Sequence, residues 1–113
     1  MCDTVVVIIT VFPVNNPPII SADTLNETTS EDTPITICIN ASDADGDSLD
    51  VTSYQNGPAD GTISGLNDGD TCFVYTPDSN FTGTDTVEVI VCDGNGGCDS
   101  VIVVITVTPV NDP

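Results

Sequence analysis

The sequence predicts an all-β protein, a seven-stranded antiparallel Greek-key sandwich, from three observations. Its 113 residues suit one hydrophobic core. Apolar residues make up 39% of the chain and fall in short β-branched runs, without a helical period. Clusters of Gly, Pro, Asn and Asp separate those runs at intervals typical of a sandwich.

Seven strands are expected, near Ile19–Ala22, at Ile35–Asn40, at Leu49–Gln55, near Thr62–Leu66, and at Thr71–Thr76, Thr84–Cys92 and Cys98–Thr108. Successive side chains on a strand point to opposite faces, so alternation assigns the core. Ile35, Ile37 and Ile39 share one parity and should face inward, as should Phe73 and Tyr75. Val87, Val89 and Val91 should be buried because Glu88 must face water; Val101, Val103, Ile105 and Val107 should be buried opposite Thr106 and Thr108. Asn95-Gly96 is a tight-hairpin signal between the last two strands.

Four cysteines then acquire partners. Cys92 and Cys98 flank that hairpin, and Cys38 and Cys72 lie on the second and fifth strands, which are neighbours in an immunoglobulin-like sandwich. All four have outward parity, so two cross-strand disulfides are expected, Cys38–Cys72 and Cys92–Cys98. Paired cysteines in a small acidic β domain indicate an oxidising, extracellular compartment. Zinc is not expected, because the chain has no CxxC spacing and no His.

Charge narrows the function. Fifteen Asp and three Glu stand against no Lys, Arg or His, for a net charge of −18. Nucleic acid and anionic membranes are excluded as partners, because phosphate contacts need Lys or Arg. Membrane insertion is excluded by run length, since a spanning helix needs roughly 20 apolar residues. No enzyme is expected: general acid–base and nucleophilic sites draw mostly on His or Lys. Clustered carboxylates must repel one another, stay apart in water, or share a metal cation.

Asp43-Ala-Asp45-Gly-Asp47 is the sharpest such cluster. Calcium takes six to eight oxygen ligands, and alternating Asp residues in a tight loop aim several carboxylates at one point. Topology adds to it. If the first strand runs away from the N-terminal pole and the second returns, the loop of Asp43, Asp45 and Asp47 lies at that pole. The hairpin loop with Asp93 and the linker Asn15-Asn16 arrive at the same place. The opposite pole is expected to gather Glu31 and Asp32, the loop with Asp78 and Asp85, and Asn111-Asp112.

The ends of the chain repeat each other. Residues 2–17, CDTVVVIITVFPVNNP, match residues 98–113, CDSVIVVITVTPVNDP, at eleven of sixteen positions with an offset of 96. Residues 1–17 are therefore expected to be the last strand and linker of a preceding repeat, or an exchanged strand, and 18–113 the repeat domain itself. Met1 leads into Cys-Asp without a basic segment, so no secretory leader is read and a longer parent chain is expected. Cys2 corresponds to Cys98 and has no counterpart of Cys92 before it.

Glu31-Asp32-Thr33-Pro34, Asp43-Ala-Asp45-Gly-Asp47, Gly61-Thr62, Tyr75-Thr76-Pro77, Phe81-Thr-Gly-Thr-Asp85 and Pro109-Val-Asn-Asp-Pro113 together resemble the cadherin-like (immunoglobulin-like) tandem repeats of bacterial surface proteins. The resemblance covers nearly the whole chain. It implies Ca2+ between successive domains, with Asn15 and Asn16 as the linker, Asp43 and Asp45 as the DxD pair, and Asp93 as the acid of the last hairpin. It also implies adjacent copies joined head to tail, covalently or in a filament, on a cell surface. The function it implies is a calcium-stiffened spacer or fibre-forming module of an adhesin or filament.

Two other functions fit the sequence. In one, strand 2–12 exchanges between chains to build a filament. In the other, the domain is a calcium-dependent carbohydrate-binding module, for which Tyr54 is the aromatic candidate. Asp followed by Thr or Ser and an aliphatic residue resembles a bacterial O-glycosylation motif, which would place glycans on Thr4, Thr24, Ser48, Thr86 and Ser100.

Overall fold

A computed structural model of the protein describes residues 2–9 and 15–110. It contains nine strands among those residues: β1 Ile19–Ile20, β2 Thr24–Ser30, β3 Ile35–Cys38, β4 Ala41–Ser42, β5 Asp50–Gln55, β6 Gly61–Ser64, β7 Cys72–Pro77, β8 Gly83–Cys92 and β9 Cys98–Thr108. One sheet has the order β2-β9-β8-β5, the facing sheet is β3-β7-β6, and β1 pairs with β4. No helix among the described residues is long and apolar enough to cross a membrane.

The sandwich expected from the sequence is present, with two differences. The strand expected at Ile35–Asn40 divides at Ile39, and Ala41–Ser42 pairs separately with Ile19–Ile20. The second difference is β2, which the sequence reading omitted. Its TLNETTS sequence offers one aliphatic residue, Leu25, so it lacks the apolar alternation that marks the other strands. It forms because β9 presents an unpaired edge, and it runs parallel to β9 from Thr24↔Ile102 to Ser30↔Thr108. The sheet therefore contains one parallel pair in an otherwise antiparallel arrangement.

The core follows the parity of the long strands. Ile37, Ile39, Val51, Phe73, Tyr75, Val87, Val89, Val91, Val101, Val103, Ile105 and Val107 are all buried. Each such side chain contributes roughly 1.5–3 kcal/mol through removal from water. The β8–β9 hairpin supplies seven of these twelve residues and sits centrally in its sheet, flanked by β5 and β2. Both disulfides staple directly opposed residues, Cys38 with Cys72 on β3–β7 and Cys92 with Cys98 on β8–β9.

Asp85 corrects one expectation. It is expected with Asp78 in the loop at the opposite pole, yet it lies in β8 with 3% of its surface exposed. It shares the inward parity of Val87, Val89 and Val91. Its Oδ1 accepts the backbone N–H of Ala59 (2.9 Å) and Thr86 (2.9 Å), and its Oδ2 accepts the N–H of Asp60 (3.0 Å) and the Tyr75 hydroxyl (2.8 Å). This carboxylate is saturated by neutral donors and ties the loop at residues 57–60 to the core. Burial foremost, then the hydrogen bond to Asp85 and its negative charge, pushes the Tyr75 phenol well above its ordinary 10.0.

Two predictions follow from these staples. In the loop-closure picture, the 34-residue separation of Cys38–Cys72 is worth about 4 kcal/mol and the 6-residue separation of Cys92–Cys98 about 2 kcal/mol. Urea unfolding of the two double Cys→Ser variants should rank them in that order. Tyr75→Phe removes one donor from a buried carboxylate and should cost about 1.5–3 kcal/mol. The raised phenol pKa gives stability that is full below pH 10.0 and is lost as pH rises toward the folded value, so this variant should also lose part of the wild-type decline in alkali.

Candidate metal centre

The loop between β4 and β5 is shaped by its own aspartates. Asp43 Oδ1 accepts the N–H of Asp45 (2.8 Å) and of Asp47 (3.3 Å), and the N–H of Gly46 bonds to the Asp43 carbonyl (3.1 Å). Gly46 takes φ +73, a left-handed conformation that closes the turn and that residues with a Cβ rarely adopt. The turn folds the DxDGD stretch back on itself, leaving Asp45 pointing one way and Asp43 and Asp47 another.

Asp93 comes from far along the chain, just after β8, whose last residue Cys92 pairs with Asp50 at the start of β5. Its Oδ1 accepts the N–H of Asn95 (2.8 Å) and Gly97 (3.0 Å), which holds the hairpin loop in place. Its Oδ2 accepts the side-chain amide of Asn15 (2.9 Å), and the same amide also donates to the Asn95 carbonyl (3.1 Å). Gly97 is required by proximity: a Cβ there would lie 2.6 Å from Asp93 Oδ2 and 2.8 Å from the Pro17 Cα. The Asn95 N–H foremost, with the Asn15 amide and the Gly97 N–H, lowers the Asp93 pKa below its ordinary 3.8, against the upward push of burial.

The linker completes the pole. Asn16 donates its backbone N–H (2.7 Å) and side-chain amide (3.0 Å) to the two carboxylate oxygens of Asp45. Three segments far apart in sequence therefore meet at one end of the sandwich: Asn15-Asn16, Asp43–Asp47 and Asp93. Carboxylate oxygens of Asp43, Asp47 and Asp93 lie within 4.8 Å of one another. Asp43 Oδ2 is buried and has no hydrogen-bond partner. Buried polar atoms are nearly always satisfied, so an orphan oxygen inside a carboxylate trio is suited to holding a cation. The donor set is all oxygen, which suits a hard ion such as Ca2+ and disfavours zinc.

Roles within the cluster differ from those the resemblance implies. Asp43 and Asp45 were the expected ligand pair, but Asp45 is exposed and engaged with the linker, while Asp47 turns toward Asp43 and Asp93. Spacing alone could not separate them, because the reversal depends on the left-handed turn at Gly46.

The second expected set is less compact. Glu31 Oε1 accepts the N–H of Val110 (3.0 Å), and Asp32 Oδ1 accepts the N–H of Asn80 (3.0 Å). Glu31 and Asp32 therefore bind the loop before β8 and the chain after β9 through backbone donors. Asp78 is exposed, and Asp85 is consumed in the core. Among the described residues these four do not form a carboxylate cluster of the kind at the other pole. Asn111 and Asp112 lie outside the described residues. The five expected glycan acceptors, Thr4, Thr24, Ser48, Thr86 and Ser100, are all exposed, as is Tyr54. Asp99 was missed by sequence reasoning: its Oδ2 accepts the Ile20 N–H (2.9 Å) and pins β1 against β9.

Asp93 makes the acid limit testable. A lowered folded pKa gives stability that is present above 3.8 and is lost as pH falls through the folded value. Asp93→Asn should flatten the acid limb of a stability profile below pH 4, read by urea midpoints across pH, relative to the parent.

The residues match known proteins in two comparisons. The model of the bacterial Ig domain matches residues 15–106. A comparison with curated protein sequences finds no match. Among solved structures, the chain is similar to a nucleoside hydrolase-related hypothetical protein from Saccharophagus degradans associated with carbohydrate metabolism. That likeness has TM-score 0.59 and 20% identity over 83% of this chain and 26% of that one, so this chain spans about a quarter of it. Titin domain M7 gives TM-score 0.49 and 13% identity over 86% of this chain and 99% of that one. The N-terminal Ig1-2 module of the Drosophila receptor protein tyrosine phosphatase DLAR gives 0.47 and 14% over 86% and 52%. The matched stretch begins at the linker asparagine bound to Asp93 and ends within β9, and the chain belongs to the bacterial Ig domain family.

Proposed function

We propose that this domain is a calcium-stiffened module of a tandem array in an extracellular bacterial protein, an adhesin or surface filament, where it acts as a spacer and not as an enzyme. One observation carries the reading: Asp43, Asp47 and Asp93 converge within 4.8 Å at the pole where the linker arrives, and Asp43 Oδ2 is buried without a partner. No Lys, Arg or His exists anywhere in the chain to neutralise them. A divalent cation there would remove the mutual repulsion of the three carboxylates. It would also hold the linker, because Asn15 is bonded to Asp93 and Asn16 to Asp45 in the same loop. Hinge freedom between this domain and whatever precedes residue 15 would fall, and the array would resist bending. The two disulfides support an oxidising, extracellular setting.

Thermal unfolding followed by tyrosine fluorescence tests this. Because any salt screens a charge of −18, calcium must be compared with sodium or magnesium chloride at equal ionic strength. Millimolar Ca2+ should raise the melting temperature beyond those controls, and a chelator should reverse it. At a hundredfold excess over Kd the gain is about 2.7 kcal/mol. Asp43→Asn and Asp47→Asn should abolish the calcium increment, whereas Asp32→Asn should keep it. Equal melting temperatures with calcium and chelator would sink the calcium reading.

A further inference from the structure

Val5 to Ile9 are five consecutive β-branched side chains with 71–85% of their surface exposed. Such a run has a strong tendency to pair as a strand and to aggregate, and soluble proteins cover it. The chain itself contains the covered form, because residues 2–11 repeat residues 98–107, which lie in β9. In β9, Val101, Val103, Ile105 and Val107 enter the core, Cys98 bonds to Cys92, and Asp99 accepts the Ile20 N–H. All six recur unchanged as Val5, Val7, Ile9, Val11, Cys2 and Asp3. The three differences, Thr4 for Ser100, Val6 for Ile102 and Ile8 for Val104, fall on residues outside the buried core. What the copy preserves is the set of contacts a ninth strand makes with its own sandwich.

We propose that residues 2–9 belong to the ninth strand of a second sandwich of this same kind, one without a ninth strand of its own. Cys2 is disulfide-bonded to that sandwich's cysteine at the position equivalent to Cys92. The occupant must offer a gap between equivalents of β2 and β8, a cysteine at the end of the latter, and a backbone N–H equivalent to that of Ile20. Another complete copy of this chain does not qualify, because its own β9 fills the gap and is bonded through Cys92–Cys98. Closure joins two thiols as one S–S bond. The two protons and two electrons pass to a low-molecular-weight disulfide such as oxidised glutathione, which leaves as two thiols. The inference rests on the tandem-array part of the proposed function and is independent of calcium.

The test co-expresses the full chain with an acceptor consisting of residues 15–97, which lacks both β9 and its copy, in an oxidising compartment. A 1:1 complex is expected, with Cys2 of the full chain linked to Cys92 of the acceptor in non-reduced peptide mapping, in calcium and in chelator alike. Val5→Asp with Val7→Asp in the full chain should cut the yield of complex at least tenfold, whereas Val6→Asp should not. The full chain alone should be monomeric with Cys2 open to alkylation. In parallel, the full-chain variant S100T/I102V/V104I, whose β9 then reads as residues 2–11, should fold and keep the Cys92–Cys98 bond. Absence of the complex, a complex indifferent to Val5 and Val7, a covalent dimer of the full chain alone, or failure of the triple variant to fold would each overturn the proposal. A missing calcium response with the complex intact would instead count against the calcium reading alone.

Discussion

Eighteen carboxylates share this fold with no Lys, Arg or His, so each one that leaves water must be met by an N–H, an O–H or an external cation. Asp85 shows how far neutral donors go. Three backbone N–H groups and a tyrosine hydroxyl satisfy it completely, and it sits in the core without a counter-charge. Asp93 is treated similarly by Asn95, Gly97 and Asn15. That solution works for one carboxylate at a time, because the donors come from backbone that can surround a single group. Where Asp43, Asp47 and Asp93 converge, donors run out, and Asp43 Oδ2 is left over. The candidate centre is the place where the fold's own chemistry of neutral donors is incomplete.

The β8–β9 hairpin connects that centre to the rest of the molecule. It supplies most of the core, carries one disulfide, and lies between β5 and β2. Asp93 at its turn is therefore held by rigid elements, while the partner carboxylates come from a loop set by an Asp turn and a left-handed glycine. Linker asparagines bridge the two. Moving Asn15 or Asn16 breaks bonds to Asp93 or Asp45, so the orientation of the linker and the arrangement of these carboxylates depend on each other. At the other pole, Glu31 and Asp32 spend their oxygens on backbone N–H groups of residues 110 and 80. The two ends of the sandwich thus use acids for different purposes, one to close loops and the other to gather charge.

The repeat of the β9 sequence near the start of the chain gives the hairpin a second meaning. The identity between residues 2–11 and 98–107 is concentrated at positions that in β9 are buried, disulfide-bonded or hydrogen-bonded to β1. Of the outward positions 100, 102, 104 and 106, the first three vary and Thr106 is kept. That distribution is what packing in a shared kind of core imposes, since a core tolerates few changes of volume while a solvent-facing residue tolerates many.

The sequence by itself determined the sandwich, most strand positions, the inward residues, both disulfides and the convergence of Asn15, Asn16, Asp43, Asp45 and Asp93 at one pole. Each of these follows from period-two alternation, turn residues and the direction of successive strands, which are local or nearly local properties. Tertiary structure decided the rest. β2 is a strand because the edge of β9 is there to pair with it, and a threonine-rich segment with one leucine does not announce that. Asp85 is a core residue because Tyr75 and the loop at residues 57–60 bring it three donors and Thr86 a fourth, although its parity with Val87 and Val89 already pointed inward. Asp47 and not Asp45 faces Asp43 and Asp93 because the turn at Gly46 reverses the chain between them. A DxDGD spacing names the candidate ligands, but only the folded backbone, with its N–H groups already committed, decides which oxygens are left to meet.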